Sequence, residues 1–528
     1  MKNNFIHKAL ILPVLVAGML LATSCEKEVT ELEPFDRLSE ASAFATPERC
    51  ALAVIGVYDA AQSGFYLGGQ VRGYPFGAAN VQQGDMRGED MLNVAAFYAF
   101  TYDGTYNPTT PNNGFMWQTL YGMINKANIV IEGIQKAVAD GTITEATGLA
   151  YEGELRFLRA LAHHELLIHF ARPYAHTAGA THFGVPYRRL AVNTPARQLE
   201  AEAQGRNSVK ECYDFLIEDL NFAETNLPET RTGALKITRA TKGAAIALKT
   251  RVYQHKGDWA NVITEAQKLT GGLGGYALTA TPEGPFANNT SNTESVFSIE
   301  NAATDNPGVN GALPVMFSVA PGRALVAISP IMFNAPWWLE SDLRRSQLTK
   351  MAANGYFSNK YRKIATQDDA NPIIRYAEVL LNLAEAQARQ GSTGPALDLL
   401  NQVRNRSVTD PALQFEAGDF ADADALVRAI LRERRIEFLG EGRRFPDIHR
   451  LALDSKYSTG GVPAKVAFGN TTIASWGYGV NYDANETYIG TLNASTAIPY
   501  DNFRFVWPIP QEELNTNPVL AAQQNEGW

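Results

Sequence analysis

The residue with the most specific chemistry is Cys25, a thiol placed at the end of a short apolar leader. Met1 to Ser24 has a basic start (Lys2, Lys8) and an apolar stretch from Ala9 to Ala22, broken by Pro13. That stretch falls short of the roughly 20 apolar residues a membrane span needs. Small residues, Ala22-Thr23-Ser24, precede the thiol, and the acidic run Glu26 to Glu31 follows it. This layout reads as an export signal over residues 1–24, with cleavage before Cys25 and acylation of its sulfur, leaving a palmitate-type anchor on residues 25–528. Leu21 stands four residues before the cysteine, one further than bacterial lipoprotein signals prefer.

Other reactive patterns are weaker. His164-Glu165-Leu166-Leu167-Ile168-His169 is close to the zinc motif H-E-x-x-H, with the second histidine one residue late. Positions five apart leave the shared helix face, so His163, His164 and His169 read as packing residues and no metal is expected. There is no G-x-S-x-G elbow and no Gly-Lys pair for a phosphate loop. Gly271 to Gly275 follows a helical pattern, not a strand, and reads as a loop. Carboxylates are abundant, but no spacing singles out an acid/base pair. The expectation is a protein without catalytic residues or cofactor.

Bulk composition narrows the class. The 528 residues carry 46 Lys+Arg and 55 Asp+Glu, a net charge of −9. The leader holds Lys2 and Lys8 and no acid, so its removal brings the charge to about −11. An acidic chain lacks the basic field that nucleic acid requires. Hydrophobic content of 45% with 19% charged residues fits a folded chain, and no second long apolar run follows Cys25. The other two cysteines, Cys50 and Cys212, fit either one disulfide or two buried thiols.

The elements that must position any site are mainly helical hairpins. Trp117, Leu120, Ile124, Ala127, Ile131, Ile134 and Val138 alternate spacings of three and four, which is one helix face, and Gly141 can end it. Leu155 to His169 and Val209 to Ala223 give two more such stripes. Ala244 to His255 and Trp259 to Leu269 flank Lys256-Gly257-Asp258, with a glycine suited to a left-handed C-cap and an aspartate suited to an N-cap. Ile374 to Gln390 and Pro395 to Arg406 form a second pair. Such pairs, stacked side by side, bury faces that no single pair can bury. The expected fold is mainly α: a TPR-like scaffold over about 116–270 and 373–450 with minor β, including a strand from Ser295 to Glu300. A further helix is expected from Ala423 to Gly440, placing Arg434 in an apolar stripe with Glu378, Glu385 and Glu441 as candidate partners.

Long irregular stretches at 64–113, 271–322 and 460–503 interrupt the helices and are rich in Gly, Pro, Asn and aromatics. Loops of this length inside a folded domain are usually functional. Aromatic rings flanked by Asp, Asn and Arg suit the flat C–H faces and hydroxyls of sugars. Tyr98, Tyr102 and Tyr106 in the first stretch and Trp476 and Tyr478 in the last are the expected ligand-binding residues. Trp337 and Trp338 precede an expected helix, Leu339 to Met351. Asp85 to Asp90 reads as a turn whose acids are structural.

The C-terminal half carries a resemblance. Arg375 to Ala386, Ala396 to Arg406, Glu433 to Phe438 with Gly440 to Arg450, and Trp507 to Pro518 resemble the motifs of the SusD/RagB nutrient-binding lipoproteins, as does Gly153 to Ala162 upstream. Pro446 and His449 replace commoner residues, and the middle loops match poorly. The resemblance implies a TPR-based scaffold with a loop-rich binding face and a lipid-anchored place on the outer membrane. It also implies a SusC-like TonB-dependent transporter as partner and a glycan ligand, sometimes a peptide. A peptide binder of the same architecture, or a surface hydrolase with an unrecognised carboxylate pair, are the alternatives.

Overall fold

The computed structural model describes residues 40–64, 72–352 and 355–528. The longer helices are α1 (Pro47–Gln62), α2 (Ala78–Met86), α3 (Pro111–Ala139), α4 (Glu145–Phe170), α5 (Pro195–Glu202) and α6 (Val209–Asn226). They continue with α7 (Lys242–Lys256), α8 (Trp259–Thr270), α9 (Tyr376–Arg389), α10 (Thr393–Arg404), α11 (Ala423–Glu437), α12 (Arg444–Leu451) and α13 (Gln511–Thr516). Successive helices pack as a stack: α1 on α3, α3 on α4, α4 on α6, α6 on α7, α7 on α8, α8 on α9, and α9 on both α10 and α11. This is the TPR-like scaffold that the apolar spacing predicts. The α7–α8 turn is built as read from sequence: Gly257 takes a left-handed φ of 72°, and the Asp258 carboxylate accepts from the Asn261 amide.

Three features differ from the sequence reading. Ile374 and Arg375 end a strand rather than start a helix: β6 (Asn371–Arg375) runs directly into α9 and pairs antiparallel with β2 (Ser295–Ile299). Buried apolar residues continue across the junction, so periodicity alone hides the change. The segment after Trp338 makes a short helix at Leu343–Gln347 and then strand β4 (Thr349–Ala352) in place of one helix. With β1 (Met91–Asn93), β3 (Val326–Ile328) and β5 (Gly355–Ser358), β4 forms a four-stranded antiparallel sheet in the order β1-β3-β5-β4.

Arg434 is buried, as its place in the stripe requires, but its carboxylate is Asp447 at 3.1 Å, with Asn382 Oδ1 accepting at 2.6 Å. The three expected partners serve other cations: Glu378 binds Arg251, Glu385 binds Arg450 and Arg389, and Glu441 binds Arg375 and Lys360. Where β2, β6, α9 and α11 meet, Arg375 reaches Glu294 at 2.5 Å, Glu437 at 2.7 Å and Glu441 at 2.8 Å. Arg344 reaches Asp342, Glu433 and Glu437, and Arg406 reaches Glu294 and Glu437. All eight of these side chains, with Lys360, are almost fully buried. Buried charges persist only when paired and hydrogen-bonded, and this cluster closes that account internally.

Glu89 and Asp90, two of the three acids of the 85–90 turn, bind Arg435 and Arg444, so α11 and α12 clamp the first long loop onto the scaffold. Helix α2 sits against the same region: a Cβ at Gly84 would lie 2.2 Å from the Gly442 carbonyl oxygen, so only glycine allows the approach. Cys50 and Cys212 are separate, buried free thiols. His163 stacks on Tyr187 at 3.8 Å, His164 meets His255 edge-on at 4.8 Å, and His169 stacks on Trp507 at 4.8 Å, all inside the core.

Candidate functional site

The loop-rich layer over the four-stranded sheet carries the candidate site. Trp476 anchors it. The ring is 7% exposed, its Nε1 donates to the Ile328 carbonyl of β3 at 3.3 Å, and its edge lies 2.9 Å from where a Cβ on Gly355 would stand. Two residues on, Tyr478 is 45% exposed and its hydroxyl donates to the Pro336 carbonyl at 3.0 Å. That bond ties the 473–490 segment to the loop bearing half-buried Trp337, whose ring lies 5.1 Å from the Arg435 guanidinium and 5.8 Å from that of Arg432. Arg432 pairs with Glu486 at 2.5 Å. Tyr482 and Tyr488 meet edge-on at 5.5 Å, and the Tyr482 hydroxyl donates to the Ile331 carbonyl. Tyr356 stacks on Phe333 at 3.9 Å. Beneath them Arg345 lies 4.5 Å from the Phe333 and Trp338 rings, and burial lowers its pKa to about 10.

This surface offers Tyr478, Trp337 and Tyr356 as partly exposed rings beside an Arg432–Glu486 pair. Rings supply apolar faces, and the flanking ions supply donors and acceptors whose hydrogen bonds are stronger than neutral ones.

The five sequence-selected residues divide unevenly. Tyr478 is presented to solvent. Tyr98, Tyr102 and Tyr106 are buried, at 0%, 3% and 3% exposure, and offer no face to a ligand. Tyr102 donates to the Val466 carbonyl at 2.6 Å and Tyr106 to the Arg504 carbonyl, so these rings fasten the first loop beneath the last. Trp476 likewise serves as an anchor. Lys465 completes the seam: fully buried, it donates to the Met86 carbonyl at 2.6 Å and the Tyr102 carbonyl at 2.9 Å, and burial pulls its pKa down to about 7. Cys25 and the leader lie outside the described residues. Sequence reasoning missed Tyr356, Arg432 and Glu486, which no motif or periodicity marks. Among the described residues, no group of three or more His, Cys, Asp or Glu converges as metal ligands, and no helix is long and apolar enough to cross a membrane.

Comparison with known proteins agrees with this architecture. Residues 343–528 match the model of the SusD family, and residues 73–254 match a second model described as "Starch-binding associating with outer membrane". A SusD superfamily protein from Bacteroides fragilis superposes with a TM-score of 0.75 at 27% identity, over 90% of this chain and 99% of that one. SusD-like protein P38 from Formosa agariphila is 24% identical over 504 residues, 83% of this chain and 90% of the relative. Surface glycan-binding protein A from Bacteroides uniformis shares the fold, with a TM-score of 0.68 at 20% identity over 91% of this chain and 99% of its own. The stacked-hairpin scaffold is the fold of the SusD superfamily structures it superposes on. The chain belongs to the SusD/RagB family.

Proposed function

We propose that this protein is a surface lipoprotein that binds oligosaccharides on its loop-rich face and delivers them to a SusC-like TonB-dependent transporter of the outer membrane. The observation that carries the binding role is the solvent-facing Tyr478, joined by its own hydroxyl to the Trp337 loop and flanked by Arg432 and Glu486. The description of the second matching family model supports both the glycan and the membrane. Acids that crowd together elsewhere are tied into arginine pairs, which favours binding over hydrolysis.

Affinity electrophoresis in starch and other soluble polysaccharides tests the ligand. Trp337→Ala with Tyr478→Ala should weaken retention by about tenfold or more, equivalent to about 1.4 kcal/mol. Retention by no polysaccharide, together with capture of peptides from a random library, would move the assignment to a peptide ligand. The transporter is tested by co-purification from membranes, where a large β-barrel should follow the protein. For the anchor, Cys25→Ala should shift the protein from the membrane to the soluble fraction; a variant that stays membrane-bound and acylated would overturn the lipidation reading.

A further inference from the structure

A second cleft lies away from the loop face, between α3, the 186–192 segment, α5 and α13, with a volume of about 340 Å³. That is within the range of about 300–1,000 Å³ of small-molecule sites. Its lining includes Trp117, Tyr121 and Leu190, with carboxylates from Glu202 and Glu513. The walls are fixed before any ligand arrives. Tyr121 donates to the Pro186 carbonyl at 2.9 Å, and Asn125 both accepts from the Val192 amide at 2.7 Å and donates to its carbonyl at 3.0 Å. Trp117 Nε1 donates to one Glu513 oxygen at 3.2 Å, and Gln198 donates to one Glu202 oxygen at 2.8 Å. Each carboxylate therefore keeps a second oxygen as an acceptor for a ligand hydroxyl.

Two details mark the cleft as more than a gap between helices. Asn517 in its wall is 1% exposed, and its Nδ2 has no protein partner, although its Oδ1 caps Leu520 at 3.0 Å. Gly122 is an exposed position inside α3, where glycine is less favourable than alanine. A Cβ there would meet nothing within 4 Å, so no contact within the chain requires the glycine. What its bare backbone provides is depth in the cleft.

We propose that this cleft is a second saccharide site, taking one or two neutral sugar rings against the partly exposed Tyr121 and Leu190, over a floor formed by buried Trp117, with hydroxyls donated to Glu202 and Glu513. Two carboxylates face one guanidinium, that of Arg188, which is already engaged with the Ala201 carbonyl and with Gln204. A phosphate or carboxylate ligand is therefore repelled, whereas a neutral polyol finds acceptors. The site stands apart from Tyr478 and does not depend on the loop face binding glycans.

The test is saturation-transfer NMR and titration calorimetry on the detergent-solubilised full chain, with maltotriose, cellotriose, xylotriose and laminaritriose as probes. At least one trisaccharide should bind and keep binding in Trp337→Ala/Tyr478→Ala. In that background, Gly122→Met, which fills the cleft from an exposed helix position, should cut affinity at least tenfold, while Gly122→Ala changes it less than twofold with an unchanged or higher Tm. Glu202→Ala, on the rim, should also weaken binding and decides the matter if Gly122→Met lowers Tm. If the loop-face double variant abolishes all trisaccharide binding, the cleft proposal falls and the loop-face reading stands; if both cleft variants bind like their parent, the cleft proposal falls. If the cleft variants abolish binding and the loop-face variant does not weaken it, the loop-face reading falls. If no probe binds wild type, the cleft proposal also falls.

Discussion

Replacing Arg375 by methionine should lower the folding free energy by about 3–5 kcal/mol, the range for breaking a buried ion pair from one side. Methionine keeps much of the volume but leaves Glu294, Glu437 and Glu441 crowded around a missing cation. Burial by itself disfavours ionised Glu437; Arg406, Arg375, Arg344 and Lys360 overcome that and hold its carboxyl below the usual range. Without Arg375 the Glu437 and Glu441 carboxyls keep Arg406, Arg344 and Lys360 but move up toward the unfolded value, so the stabilisation they give above pH 4.5 shrinks. Urea melts of both proteins at pH 7 measure the deficit; equal midpoints would show that Arg375 carries none of this load.

Acid should unfold the wild-type protein in two overlapping stages. Burial lowers His163, His164 and His449 to about 3, against an ordinary 6.5. Between those values the unfolded chain binds protons that the folded chain refuses, so stability falls as pH drops below 6.5. Each such proton is worth about 1.4 kcal/mol per pH unit, so three give up to about 4 kcal/mol per unit. The second stage comes from carboxylates. Burial would raise Glu89 and Glu378, but Arg444 and Arg435 hold the first at about 2 and Arg251 holds the second at about 2. Their contribution is complete above the ordinary 4.5 and is lost as pH falls toward 2. Against a typical total of about 5–15 kcal/mol, these slopes place the unfolding midpoint between about pH 5 and pH 3. Far-UV circular dichroism against pH checks it. His164→Phe should move the midpoint to lower pH by removing one proton-binding group; a fold intact at pH 2 would contradict the reading.

The scaffold was legible because long helices repeat their apolar residues at three and four, and because Gly257 and Asp258 mark a turn by backbone chemistry. The four-stranded sheet was not legible. Its strands are three or four residues long, and β1 lies far from the other three in the chain, so none carries a period of its own. The partner of Arg434 is not legible for a related reason: the fold brings Asp447 beside it and gives Glu378, Glu385 and Glu441 to other cations. Loop aromatics proved the least readable. Tyr98, Tyr102, Tyr106 and Tyr478 share a side chain and sit in similar Gly- and Asn-rich surroundings, yet only Tyr478 reaches solvent. Exposure there depends on which loop lies on top, and composition does not encode that order.

The seam between the loops has a consequence for how such a protein can change. Tyr102, Tyr106, Tyr478 and Tyr482 all donate to backbone carbonyls, and Lys465 does the same. A carbonyl oxygen is present at every position whatever residue occupies it. The bonds at Val466, Pro336 and Ile331 therefore do not depend on which side chains stand there. Drift in the exposed letters of this face is decoupled from drift in its stability, so a lineage can try new ligands one substitution at a time on a frame that stays closed.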